Sequence, residues 1–194
     1  MIQEQLKKYN VILGSSSPRR KELLSALGIK FSIKETHQEE CYPASLKGKE
    51  VAEFIAKQKA STISRKLSKN YLLITADTIV IKDNNILHKP KDTNNASKLL
   101  THISGDTHQV ITGVCIKSDK KQEIFSSITE VTFNKLSEYE ITYYIEKFKP
   151  FDKAGSYGIQ EWIGYIGVAK IEGSYNNVVG LPTAKLYQKL KLFI

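Results

Sequence analysis

Short apolar runs alternate with helically periodic segments along almost the whole chain, and that alternation selects an α/β architecture. The run at 11–14 (VILG) reads as a strand. Ser17-Pro18 then opens a helix, because Ser caps a first turn and Pro fits the first helical position. Leu23, Leu24 and Leu27 form its apolar stripe, and Gly28 ends it. A strand is expected at 31–34 and a loop through Glu40 and Pro43. A helix follows over about 48–67, with Val51, Phe54 and Ile55 facing inward. A long apolar strand covers 72–81 (LLITADTIVI), and 83–85 turns it back into Ile86-Leu87. The helix expected over about 94–103 buries Leu99, Leu100 and Ile103. Strands at 109–117 and 123–133 flank the polar turn 118–122. Ser137 and Glu140 make a capping-box pattern, and the helix they start carries Ile141, Tyr144, Ile145 and Phe148 before Pro150. Segment 151–160 reads as loop, 166–171 as a strand, and Pro182 leads into a C-terminal helix. The expected fold is a mixed twisted sheet with flanking helices, forming a single domain over 1–194.

Composition excludes several classes. Hydrophobic residues at 41% and charged residues at 25% rule out disorder of the whole chain. No apolar run approaches the roughly 18–20 residues that a spanning helix needs, so no membrane role is expected. The N-terminal MIQEQLKKYNVIL lacks a signal peptide's apolar stretch, which points to a cytoplasmic location with Cys41 and Cys115 reduced. Neither cysteine belongs to a CxxC or Cys/His cluster, and GxGxxG and GxxxxGK[ST] are both missing. The 29 basic side chains exceed the 20 acidic ones by nine, a surplus that favours anionic partners without choosing among them.

Four places break local rules. Arg19, Arg20 and Lys21 crowd the first turn of the first helix, where the macrodipole disfavours cations by about 0.3–1 kcal/mol each. With the hydroxyls of Ser15, Ser16 and Ser17 and the open backbone N–H groups, that turn reads as a receptor for an anion such as phosphate, or as a solvated basic helix start with no ligand. It follows a strand, so it belongs at the carboxyl edge of the sheet. Asp77 interrupts the apolar run at 72–81, as a cap at a bulge, a solvent-facing residue or a functional carboxylate. Lys59 follows Ile55 by about one helical turn, and Lys89 precedes a proline that stiffens it; each is also explained as an ordinary snorkelling lysine. Finally, 152–160 (DKAGSYGIQ) combines two glycines with Gln160, whose amide can donate to and accept from the edge of a base; a plain turn is the other reading.

In this order, SSSPRR (15–20), AKQKA (56–60), ADTIV (76–80), KP (89–90), SGDTHQVITGV (104–114), DKAGSYGIQ (152–160) and GSYNNVVGLP (173–182) resemble the Maf family of nucleoside triphosphate pyrophosphatases. The resemblance covers nearly the whole chain. It implies an ITPase-like fold with two α/β lobes around a cleft. It also implies hydrolysis of a nucleoside triphosphate to monophosphate and pyrophosphate with a divalent metal, Mg²⁺ or Mn²⁺. By the same resemblance Asp77 is the proton acceptor, although metal ligation suits its chemistry equally. Arg19, Thr78 and Gln160 match the family's specificity positions as they stand in the dTTP/UTP branch, which also leaves modified pyrimidine nucleotides open. Ser15, Ser17, Arg19, Arg20, Lys59 and Lys89 are the implied phosphate ligands, and Glu40 joins Asp77 as an implied metal ligand. His88 stands where many members have Glu. A homodimer is compatible with the family. The alternative is a non-catalytic basic module that binds nucleic acid, or an interaction protein of cell division. The chain lacks an RRM-like motif, zinc-finger spacing and a basic tail, so no nucleic acid is expected as partner.

Overall fold

The computed structural model describes residues 1–35 and 41–194. Glu40 therefore lies outside the described residues. In chain order the elements are α1 (Ile2–Leu6), β1 (Asn10–Leu13), α2 (Pro18–Ala26), β2 (Ser32–Ile33), α3 (Lys49–Ser64), β3 (Tyr71–Lys82), β4 (Asn85–Leu87), α4 (Thr93–Ile103), β5 (Thr107–Ser118), β6 (Gln122–Phe133), α5 (Glu138–Phe148), α6 (Trp162–Gly167), β7 (Val168–Glu172), α7 (Tyr175–Val179) and α8 (Thr183–Phe193), with one 3₁₀ turn at Ala154–Ser156. The strands form one sheet in the order β2-β1-β3-β5-β6-β7, and β4 pairs with β3. The pairing is mixed: β1 runs parallel to β2 and β3, while β4 and β7 run antiparallel to β3 and β6.

The chain divides into two compact units, and β3, β5 and β6 each pass from one to the other. The first comprises Met1–Asp77, Thr112–Ser127 and Gly180–Ile194. Its sheet is covered on both faces. Leu13, Leu72, Ile74, Val114 and Ile116 pack with Leu24 of α2 and with Leu186 and Leu190 of α8. The alternate residues Ile12, Leu73 and Cys115 pack with Ala56, Ala60 and Ile63 of α3. Burial on both sides is why β3 reads as a continuous apolar run rather than an alternation. Gly113 lets α3 lie low on the sheet: a Cβ there would stand 2.3 Å from the Ala52 carbonyl carbon and 2.5 Å from the Glu53 nitrogen. Burial also pushes the Cys115 thiol up to about 11, so it behaves as a small apolar side chain.

The second unit comprises Thr78–Ile111 and Ile128–Val179. Leu100 and Ile103 of α4, Ile141, Tyr144 and Ile145 of α5, and Val131 and Phe133 of β6 build its core with Tyr157 and Ile159. Asp83 and Asn84 both take positive φ (49° and 61°), which makes the two-residue β3–β4 turn of the kind that suits strand twist. The Ser137–Glu140 capping box is formed. The strand expected at 166–171 begins instead at Val168, because Ile166 and Gly167 finish α6. Gly167 packs where a Cβ would meet the Phe133 ring at 2.9 Å.

His108 is 2% exposed, with Nε2 2.7 Å from the Tyr157 hydroxyl. Burial holds its pKa down from 6.5 to about 4; Lys82 pushes the same way and Asp106 opposes. Between those values the unfolded chain protonates this imidazole and the folded chain does not. The stability present above pH 6.5 is therefore lost as the pH falls toward 4. Urea unfolding at about pH 7 and about pH 4.5 is expected to show that His108→Gln escapes about 2–3 kcal/mol of the acid loss suffered by the parent. An equal loss in both proteins would contradict this.

Candidate active site

The segment 14–17 leaves the carboxyl end of β1 and enters α2. Ser17 caps the helix, its side chain accepting from the Arg20 N–H, and Pro18 occupies the first turn. Ser15 Oγ accepts from the Ser17 N–H at 3.3 Å and from Arg20 Nη1 at 3.3 Å, while Arg20 Nε donates to the Gly180 carbonyl at 2.8 Å. Ser15, Ser17 and Arg20 thus form one braced loop, and half-buried Arg19 stands on the same turn. No acidic side chain occupies this first turn. An anion there meets helix N–H groups and guanidinium charge together.

Register places Asp77 near this end of the sheet. Leu13, the last residue of β1, pairs with Ile74, so Asp77 lies three residues further along β3, about 10 Å beyond that pair. Its side chain does not face solvent. It is 6% exposed and makes a 2.6 Å ion pair through Oδ1 with Lys59 Nζ. Lys59 reaches it because α3 sits close: Thr75 Oγ1 donates to the Ala56 carbonyl at 2.7 Å, about one helical turn earlier. Lys59 is therefore committed to a buried carboxylate rather than snorkelling into water.

Thr78 follows Asp77 on the same strand and opens the second unit. Lys89 is exposed after β4. Gln160 belongs to a turn closed by the Glu161 N–H donating to the Gly158 carbonyl at 2.9 Å. Its Oε1 is buried and accepts no hydrogen bond from the described residues. The structure thus joins Ser15, Ser17 and Arg20 into one loop and Lys59 to Asp77 in one unit, and carries Thr78, Lys89 and Gln160 in the other. Sequence reasoning missed the pairing of Lys59 with Asp77 and the scaffold behind Gln160. There Lys153 Nζ bonds Asp152 at 2.7 Å and Glu161 Oε1 at 3.0 Å. A lysine between an aspartate and two glycines was the available signal.

Among the described residues, no three His, Cys, Asp or Glu side chains group to hold a metal. The site offers Asp77 as a described carboxylate. That donor set fits a hard cation of the Mg²⁺ type, which takes about one or two carboxylates from a protein and fills its shell with phosphate oxygens and water.

The family model for Maf-like proteins matches residues 10–193. A dTTP/UTP pyrophosphatase of Phocaeicola vulgatus is 54% identical over 189 residues, which is 97% of this chain and 98% of that protein. A dTTP/UTP pyrophosphatase of Flavobacterium johnsoniae is 46% identical over 194 residues, covering 100% of both. The structure of the Staphylococcus aureus Ham1 protein aligns with a TM-score of 0.53 at 14% identity, covering 93% of this chain and 99% of that one, so the fold is shared. No helix among the described residues is long and apolar enough to cross a membrane. The seven motifs, the match along nearly the whole length and the two full-length relatives agree: the chain belongs to the Maf family.

Proposed function

We propose that this chain hydrolyses dTTP and UTP to the nucleoside monophosphate and pyrophosphate, breaking the α–β phosphoanhydride bond with one water. The observation that carries the reading is the buried Lys59–Asp77 pair toward the same end of the sheet as a helix N-terminus loaded with arginines, in a chain with full-length relatives that are dTTP/UTP pyrophosphatases. The triphosphate binds at the start of α2, where the N–H groups, Ser15, Ser17, Arg19 and Arg20 receive its oxygens. Lys59 and Lys89 add positive charge that offsets the charge growing on the departing pyrophosphate. Asp77 accepts the proton of the attacking water, and Lys59 keeps its carboxylate in place. Asp77 and, by family resemblance, Glu40 would hold Mg²⁺ or Mn²⁺, which would supply charge neutralisation on the phosphate oxygens. Thr78 and Gln160 read the pyrimidine edge, and Arg19 contributes to the same choice. A site that hydrogen-bonds a base rejects the wrong donor pattern more strongly than size alone does.

The test is pyrophosphate release from a panel of nucleoside triphosphates with Mg²⁺ or Mn²⁺. UTP and dTTP are expected to turn over well ahead of CTP, ATP and GTP. Gln160→Glu is expected to shift the order, because a carboxylate cannot donate as the amide does. Absence of release from either pyrimidine substrate overturns the activity. A panel order unmoved by Gln160→Glu removes Gln160 from base recognition.

A further inference from the structure

The hydroxyl of Tyr144 has no part in the apolar stripe through which α5 joins its core. Tyr144 is fully buried, and its ring stacks on Phe148 with centroids 5.1 Å apart. Its O–H donates to Glu161 Oε2, and its oxygen accepts from the Gly158 N–H at 3.0 Å. Gly158 and Glu161 are the two ends of the turn that contains Gln160. Lys153 Nζ holds the other carboxylate oxygen, Oε1, at 3.0 Å. Gly158 has no room for a side chain, since a Cβ would lie 2.8 Å from Glu161 Cδ. One step back along the chain, Tyr157 is tied to His108. Movement of the turn would break hydrogen bonds to groups held away from water, which costs more than breaking exposed ones. Burial, reinforced by Glu161, holds the Tyr144 hydroxyl far above its ordinary pKa, so it stays a donor at any working pH.

We propose that Tyr144 is a positioning residue for base recognition: a single buried hydroxyl fixes both ends of the 158–161 turn and thereby aims the Gln160 amide. The inference rests on the reading of Gln160 as a base-reading group. Chemistry takes place at the phosphates, so a softened turn weakens binding of the right base and leaves the bond-breaking step largely alone.

Tyr144→Phe keeps the ring and its stack on Phe148 and deletes only the hydroxyl. The expected result is a KM for UTP and dTTP raised about tenfold, a kcat within about twofold of the parent, and a UTP-over-CTP ratio of kcat/KM lowered about tenfold. Gln160→Ala is expected to lower the same ratio, and Tyr144→Phe added to it is expected to lower it no further, since the two act as one unit. A merely structural hydroxyl would lower the melting temperature and the active fraction while leaving KM and the ratio where they were. If Gln160→Ala lowers the ratio and Tyr144→Phe does not, or if the two losses add, the positioning role is overturned and base reading by Gln160 stands. If Gln160→Ala leaves the ratio unchanged, both fall. Should Tyr144→Phe not fold, Glu161→Ala removes one end of the clamp and is expected to lower the ratio. Glu161→Gln keeps an acceptor for the hydroxyl and is expected to restore it. A ratio unaffected by Glu161→Ala overturns the proposal equally.

Discussion

Asp77→Asn is expected to cut pyrophosphate release from UTP and dTTP by about 10³-fold, within the range for loss of a positioned proton acceptor. The substitution preserves volume and leaves an oxygen that can still accept from Lys59. What it removes is the negative charge and the basic oxygen. Lys59, 16% exposed at its side chain, then keeps its charge beside a neutral amide, so some stability is lost with the pair. Circular dichroism is expected to match the parent, with a melting temperature only modestly lower. Added Mn²⁺ separates the two roles open to this carboxylate. A lost metal ligand is recovered by mass action at high metal, whereas a lost proton acceptor is not. Turnover that stays low at saturating Mn²⁺ is the expected outcome. A variant that retains more than about a tenth of parental turnover would remove Asp77 from the proton-accepting role.

The parts of this molecule that sequence made legible are those decided locally. The cap at Ser17-Pro18, the capping box at Ser137 and the Asp83-Asn84 turn each depend on a few adjacent residues, and each is present. The apolar run of β3 was legible because burial on both faces demands it. The short helices α1, α6 and α7 were not, since five or six residues make too few turns to display a period. The Lys59–Asp77 pair was illegible for a different reason. Its partners are 18 residues apart on a helix and a strand, and their meeting depends on Ala52, Ala56 and Gly113, which bear no chemistry. Tyr144 fitted the period of a buried stripe, and periodicity cannot tell a hydroxyl from a methyl group. The surplus of nine positive charges, taken alone, left a nucleic-acid partner open; the missing RRM-like motif, zinc-finger spacing and basic tail are what made that partner unexpected.

Gly113→Ala tests the scaffold that brings the pair together. The added methyl would meet the Ala52 carbonyl carbon at 2.3 Å, its oxygen at 2.4 Å and the Glu53 nitrogen at 2.5 Å. All three are backbone atoms of a helix, so no side chain can swing aside. The helix α3 must rise as a body or the strand must bend. Either movement strains the Thr75–Ala56 and Ser126–Glu53 hydrogen bonds, both under 3 Å (2.7 and 2.6 Å). The expected loss is at least about 3 kcal/mol, the upper end for overpacking a rigid site. In a chain of this size that lowers the melting temperature by about 6–12 °C. The effect extends to catalysis, because a raised α3 draws Lys59 away from Asp77, and kcat in the fraction that remains folded is expected to fall. Gly105→Ala supplies the control. Unlike Gly113 it stands at positive φ (72°), but its Cβ would have no neighbour nearer than 3.6 Å, and it lies in the α4–β5 connection of the other unit. It is expected to cost about 1 kcal/mol through its backbone conformation and to leave kcat unchanged. Equal losses of stability and of kcat in the two variants would mean that close seating of α3 is not what couples Lys59 to Asp77.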